Sequence, residues 1–96
     1  MSRPMHSEPD AAEALALQAL AFLAEEPERL GRFLAMTGLG PAELRMRAAE
    51  PELLGGVLDH FLGDERLLLA FANSGAIPPE EVARARLALP GARDPD

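Results

Sequence analysis

His60 is the one side chain in this sequence placed to act as a base or a metal ligand. Asp59 precedes it directly and Asp64 follows four residues later. A histidine beside carboxylates can carry a proton or help hold a cation near neutral pH. The spacing works against both roles. Consecutive residues on a helix point about 100° apart, so Asp59 does not share the direction of His60. Asp64 falls where a helix needs a capping oxygen. A metal site needs several convergent ligands. His60 also lies opposite the apolar row Leu54, Leu58 and Phe61, so it is expected to be a solvated surface residue.

The other reactive groups are few. There are three serines, one threonine, no cysteine and no lysine, and all nine basic residues are arginine. Ser2, His6 and Ser7 stand in a polar N-terminal segment, too loosely held to position a proton. Glu25-Glu26 and Glu80-Glu81 are paired carboxylates at helix ends, where the helix dipole and capping account for them. Gly38-Leu39-Gly40-Pro41 lacks the further glycine, the lysine and the preceding strand of a phosphate loop. The expectation is a protein that is not an enzyme, with no catalytic residue, no cofactor and no metal site.

Arginines offer a different chemistry. Leu30 to Arg47 reads as a helix, a glycine turn and a short second helix, the outline of a helix-turn-helix. Arg29, Arg32, Arg45 and Arg47 are the candidate nucleic-acid-binding residues of that reading. Two details oppose it. With Gly38 as the turn glycine, bulky Leu34 falls where close crossing wants alanine, and Arg47 falls where an apolar residue turns inward. A simpler account makes Gly38 a C-cap and Pro41 a helix start, with the arginines paired to Glu28, Glu43 and Glu50. The formal charge of −7, from 16 acidic and 9 basic residues, also disfavours phosphate backbones and anionic membranes.

These side chains must be positioned by helices. Ala contributes 18 residues and Leu 17, against four β-branched residues, Thr37, Val57, Ile77 and Val82. A sheet protein has nothing to build strands from. Without cysteine there is no disulfide scaffold. An apolar content of 48% excludes a disordered or collagen-like chain. At 96 residues there is room for one core and no second domain. The fold class is therefore all-α, a compact irregular or orthogonal array of five to six short helices in a single domain. Residues 1–6 read as a disordered tail, 7–90 as the domain and 91–96 as a second tail.

Proline and glycine punctuate the helices. Ser7 is the expected cap of a first helix from Glu8 to about Glu25. Pro27 opens a second, stopped by Gly38, and Pro41 a third, to about Ala49. Pro51 opens a fourth, through Leu62, with a core row of Leu54, Val57, Leu58, Phe61 and Leu62. Its Gly55-Gly56 pair implies that another helix passes very close. Asp64 caps a fifth, closed by Gly75, with Leu67, Leu68, Phe71 and Ala72 inward. Pro78-Pro79 opens a sixth, with Val82, Ala85, Arg86 and Leu89 along one side.

The first helix stands apart. From Ala14 to Ala24 it is apolar except for Gln18, too short to span a bilayer. With Glu8, Asp10 and Glu13 before it, this stretch lacks the positive flank of a signal peptide. The expected location is the cytoplasm, away from membranes. A helix apolar all round is expected to be buried on more than one side, central to the others. Leu17, Leu20 and Ala24 lie off its main face and are the candidate partner-binding residues, for an unknown protein or a second copy. The leading expectation is a small protein-protein interaction or regulatory domain that can self-associate through this helix. The alternative is the arginine-patch nucleic-acid module.

Three stretches carry a family resemblance. They are Ala-Phe-Leu-Ala-Glu-Glu-Pro-Glu-Arg-Leu-Gly-Arg-Phe-Leu (21–34), Thr-Gly-Leu-Gly-Pro-Ala-Glu-Leu-Arg (37–45) and Val-Leu-Asp-His-Phe-Leu-Gly-Asp-Glu-Arg-Leu-Leu-Leu-Ala-Phe (57–71). Together they resemble a family of small bacterial proteins known as domain of unknown function 3572, over about Ala11 to Leu89. The resemblance implies a compact, all-helical cytoplasmic protein. It brings no activity, cofactor or catalytic residue. Gly38-Leu39-Gly40 and the run from Asp59-His60 to Asp64-Glu65 belong to the family's recurring wording.

Overall fold

Four of the six helices have proline as their first residue, where a missing backbone N–H costs nothing. The computed structural model describes residues 8–91. The Ser7 cap, the tail at 1–6 and all but Gly91 of the 91–96 segment lie outside them. The helices are α1 (Glu8–Ala24), α2 (Pro27–Thr37), α3 (Pro41–Arg47), α4 (Pro51–Leu62), α5 (Glu65–Gly75) and α6 (Pro79–Leu87). Among the described residues there is no strand. The fold is all-α, one compact body.

Local chemistry sets the ends. Asp64 caps α5 by accepting a hydrogen bond from the Leu67 N–H at 3.2 Å. Gly38 takes the left-handed conformation, φ 80°, that ends α2, its N–H bonding to the Leu34 carbonyl. The end of α5 differs from expectation. Gly75 stays in the helix, and Ala76 adopts the left-handed turn at φ 54°. Ile77 explains this: its N–H returns to the Ala72 carbonyl and its side chain lies over Gly75, where a Cβ would meet it at 3.0 Å. A hydrophobic residue folded back over the helix end anchors such a stop.

Helix α1 packs on α2, α4 and α6, and α4 packs on α1, α5 and α6. At their junction Phe22 of α1, Phe61 of α4 and Phe71 of α5 form a triangle with centroids 5.2 to 6.2 Å apart, the tilted geometry aromatic rings favour. Phe33, Leu23, Val57, Leu58 and Val82 are fully buried around it. Two expectations are corrected. Helix α1 is buried on one side only, along Ala12, Ala16, Ala19, Phe22 and Leu23, while Ala11, Ala14, Leu17, Ala21 and Ala24 are exposed. Small alanines cost little in water, so an apolar sequence need not be a surrounded helix. In α4, Leu53 joins the core and Leu62 does not, being 36% exposed.

The seam between α4 and α6 is closed by one arginine. Arg86 is buried, on the side of α6 that it shares with Val82, Ala85 and Leu89. Its Nε donates to Asp59 Oδ1 at 2.7 Å, and its Nη1 donates to the carbonyls of Pro90 at 3.1 Å and Leu89 at 3.3 Å. Gly55 makes room for this group: a Cβ there would stand 3.0 Å from Arg86 Nη1 and 3.1 Å from the Pro90 carbonyl. The expected close approach at the glycine pair is real at Gly55. Gly56 faces open space.

Candidate functional site

Two concave regions flank this scaffold. The first is an apolar groove of about 390 Å³ between α1 and α6. Ala14, Leu15 and Gln18 form its α1 wall, and Ala85 and Ala88 its α6 wall, with Ile77 at one end. Glu81 and Arg84 supply its charge. Alanine on both walls, Ala11, Ala12 and Ala14 against Ala85 and Ala88, leaves the space between the larger side chains.

The second region is a polar cavity of about 340 Å³ between α2, α4 and α5. Arg29 and Arg32 reach it from α2, one turn apart, and Arg66 from the first turn of α5. His60 of α4 and Asp64, the α5 cap, line the same space, and Leu67 and Ala70 supply an apolar wall. Arg29 is held in place: its guanidinium lies 4.2 Å above the Phe22 ring, a cation–π contact. Glu26 is 4.0 Å away, at the limit of an ion pair. Among the described residues no ion pair involves Arg32 or Arg66.

His60 is half-buried, which corrects the expectation of a solvated residue. The apolar row of α4 alone placed it outward, but Phe33 of α2 packs against it edge to face, centroids 5.2 Å apart. Desolvation lowers its pKa below the usual histidine value; Asp64 pulls it back up and Arg32 pushes it down. The imidazole is thus neutral at pH 7. The acidic neighbours are both engaged, Asp59 by Arg86 and Asp64 by the Leu67 N–H. Among the described residues no three His, Cys, Asp or Glu side chains gather as a metal-holding group.

The four arginines of the nucleic-acid reading are divided. Arg29 and Arg32 line the cavity, while Arg45 and Arg47 do not. Arg47 donates to Glu50 at 2.9 Å and lies 3.7 Å from Glu43, the pairing read from the sequence. Arg45 is exposed on α3, and Leu34 packs against the core. Arg29 neighbours Glu26 instead of Glu28. Of the partner-binding candidates, Leu17 is 44% exposed and Ala24 is exposed, whereas Leu20 packs against the core. Sequence reasoning passed over Arg66: nothing local distinguishes it from a solvated helix residue, and only the packing of α5 beside α4 brings it to Arg29 and Arg32.

Among the described residues no helix is long and apolar enough to cross a membrane. A family model described as "Protein of unknown function (DUF3572)" matches residues 9–92. No curated protein and no solved structure matches the chain.

Proposed function

We propose a non-enzymatic role for this chain, which belongs to the DUF3572 family of proteins of unknown function: a cytoplasmic interaction or regulatory domain that pairs with a second copy through the outer side of α1. The observation that carries this reading is the exposed apolar row of α1 beside the α1–α6 groove. Ala14, Leu17, Ala21 and Ala24 are exposed there, and Leu15 lies in the groove wall. Alanine lets two helices approach closely, and a two-fold pair needs one self-complementary patch. Leu17 is the large side chain that one copy can offer to the groove of the other.

Sedimentation equilibrium over a range of protein concentrations tests the reading. A concentration-dependent dimer is expected, lost in Leu17→Glu with helix content unchanged by circular dichroism. A monomer at every concentration, or a dimer indifferent to Leu17→Glu, overturns pairing through α1.

A further inference from the structure

The cavity between α2, α4 and α5 has the wrong sign for this protein. The chain carries −7 overall, yet three guanidiniums, from Arg29, Arg32 and Arg66, line one space of about 340 Å³. Asp64 is the one carboxylate lining it, and its Oδ1 is already engaged by the Leu67 N–H at 3.2 Å. With Glu26 4.0 Å from Arg29, the three positive charges have two carboxylates near them, and Arg32 and Arg66 have no ion pair among the described residues. An anion entering this space meets positive charge that ion pairs among the described residues leave uncompensated. We propose that this cavity binds the phosphate-monoester dianion of a small phosphorylated ligand.

Charge count selects the ligand class. A phosphate monoester carries about −1.5 to −2 at pH 7, which matches the two arginines without an ion pair among the described residues, Arg32 and Arg66, whereas a lone carboxylate carries half of that charge. Guanidiniums approaching from two helices offer forked N–H pairs to several phosphate oxygens at once. Arg29 is preset for this by its stacking on Phe22. The first turn of α5, where Arg66 stands, adds the positive end of a helix dipole. Leu67 and Ala70 provide a wall for the organic part of the ligand, and the volume lies within the range of about 300–1,000 Å³ typical of small-molecule sites. A polyanion is a poorer match, because Arg45 and Arg47 do not extend the patch. The proposal is independent of pairing through α1, since cavity and groove share no lining residue.

His60 reports on occupancy. It is faced by Arg29, Arg32 and the Phe33 ring from α2 and by Asp64 and Arg66 from α5; on its own helix Asp59 is taken up by Arg86. A bound dianion adds negative charge beside the ring and favours its protonated form.

Nuclear magnetic resonance titration of the full chain at fixed ionic strength tests the proposal, with inorganic phosphate, phenyl phosphate and benzoate as probes. Saturable shifts are expected at His60, Leu67 and Ala70, with phenyl phosphate tighter than inorganic phosphate and benzoate weaker than both. Arg32→Gln and Arg66→Gln each weaken phenyl phosphate by about tenfold, the loss of one charge-assisted contact, while Arg45→Gln, outside both the cavity and the groove, changes nothing. On saturation the protonation midpoint of His60 rises. Both arginines are exposed, so their replacement leaves the fold intact. Absence of saturable shifts, equal binding of benzoate and phenyl phosphate, or shifts indifferent to both substitutions overturns the proposal. A phosphoserine peptide binding far more tightly than phenyl phosphate overturns the small-ligand assignment.

Discussion

Along α4, Asp59 meets Arg86 of α6, and the very next residue, His60, faces the cavity that holds Arg29, Arg32 and Arg66. The two regions use the same cation in opposite ways. In the seam Arg86 is buried, donates to a carboxylate and two carbonyls, and has a glycine cut to its outline. In the cavity three arginines share a space and Arg32 and Arg66 have no ion pair among the described residues. A guanidinium that donates to a carboxylate and two carbonyls is architecture; Arg32 and Arg66, with no ion pair among the described residues, leave binding capacity unspent.

The contrast can be broken at several points. Arg86→Ala carries the largest effect, a loss of about 2–4 kcal/mol in chemical denaturation, because two backbone carbonyls lose their donor and a buried stem is removed. Asp59→Ala costs less, about 1–2 kcal/mol: that carboxylate is 59% exposed, but its loss leaves the buried Arg86 Nε without its acceptor. Equal losses from both would show that the ion pair alone carries the seam. Gly55→Ala comes next: the new Cβ presses on Arg86 and the Pro90 carbonyl and lowers stability by about 1–3 kcal/mol. Gly56→Ala, with nothing near it, raises stability by about 0.5–1 kcal/mol. On the cavity side Arg32→Gln with Arg66→Gln leaves the unfolding midpoint within about 0.5 kcal/mol of the parent. A large destabilisation there would make those arginines structural too.

The smallest effect is a pH slope. Burial depresses the folded-state pKa of His60 below its unfolded value. Between those two values the unfolded chain binds more protons, so this contribution to stability is full above the unfolded value and is lost as pH falls through the folded one. Stability curves of the parent and His60→Gln therefore converge on acidification from pH 7 to pH 5. Parallel curves across that range would mean that the ring is not desolvated by Phe33.

The elements were legible because their signals are local. Pro27, Pro41, Pro51 and Pro79 start helices, Asp64 caps one and Gly38 ends one. Helical period set Arg86 on one side of α6 with Val82, Ala85 and Leu89, but its burial is known only from the packing. What Arg86 touches does not follow from that period either, since Asp59 lies 27 residues away and the pairing depends on how α6 crosses α4. The burial of His60 is of the same kind, set by a ring on another helix. At α1 composition misled: an apolar run broken only by Gln18 was read as a surrounded core, but alanine tolerates solvent and only one row is enclosed.

The packing of α1 against α6 has a bearing on how the chain matures. Ala12 and Leu15 of the first helix line a space completed by Ala85 and Ala88 of the last. As the chain leaves the ribosome, α1 emerges first and waits while five further helices are made. Through that interval part of its inner row lacks its final cover. Chains in this condition depend on chaperones or fast completion to avoid sticking to one another. The domain closes only when its last helix arrives, so synthesis stalled after α5 releases a product with that flank of α1 open.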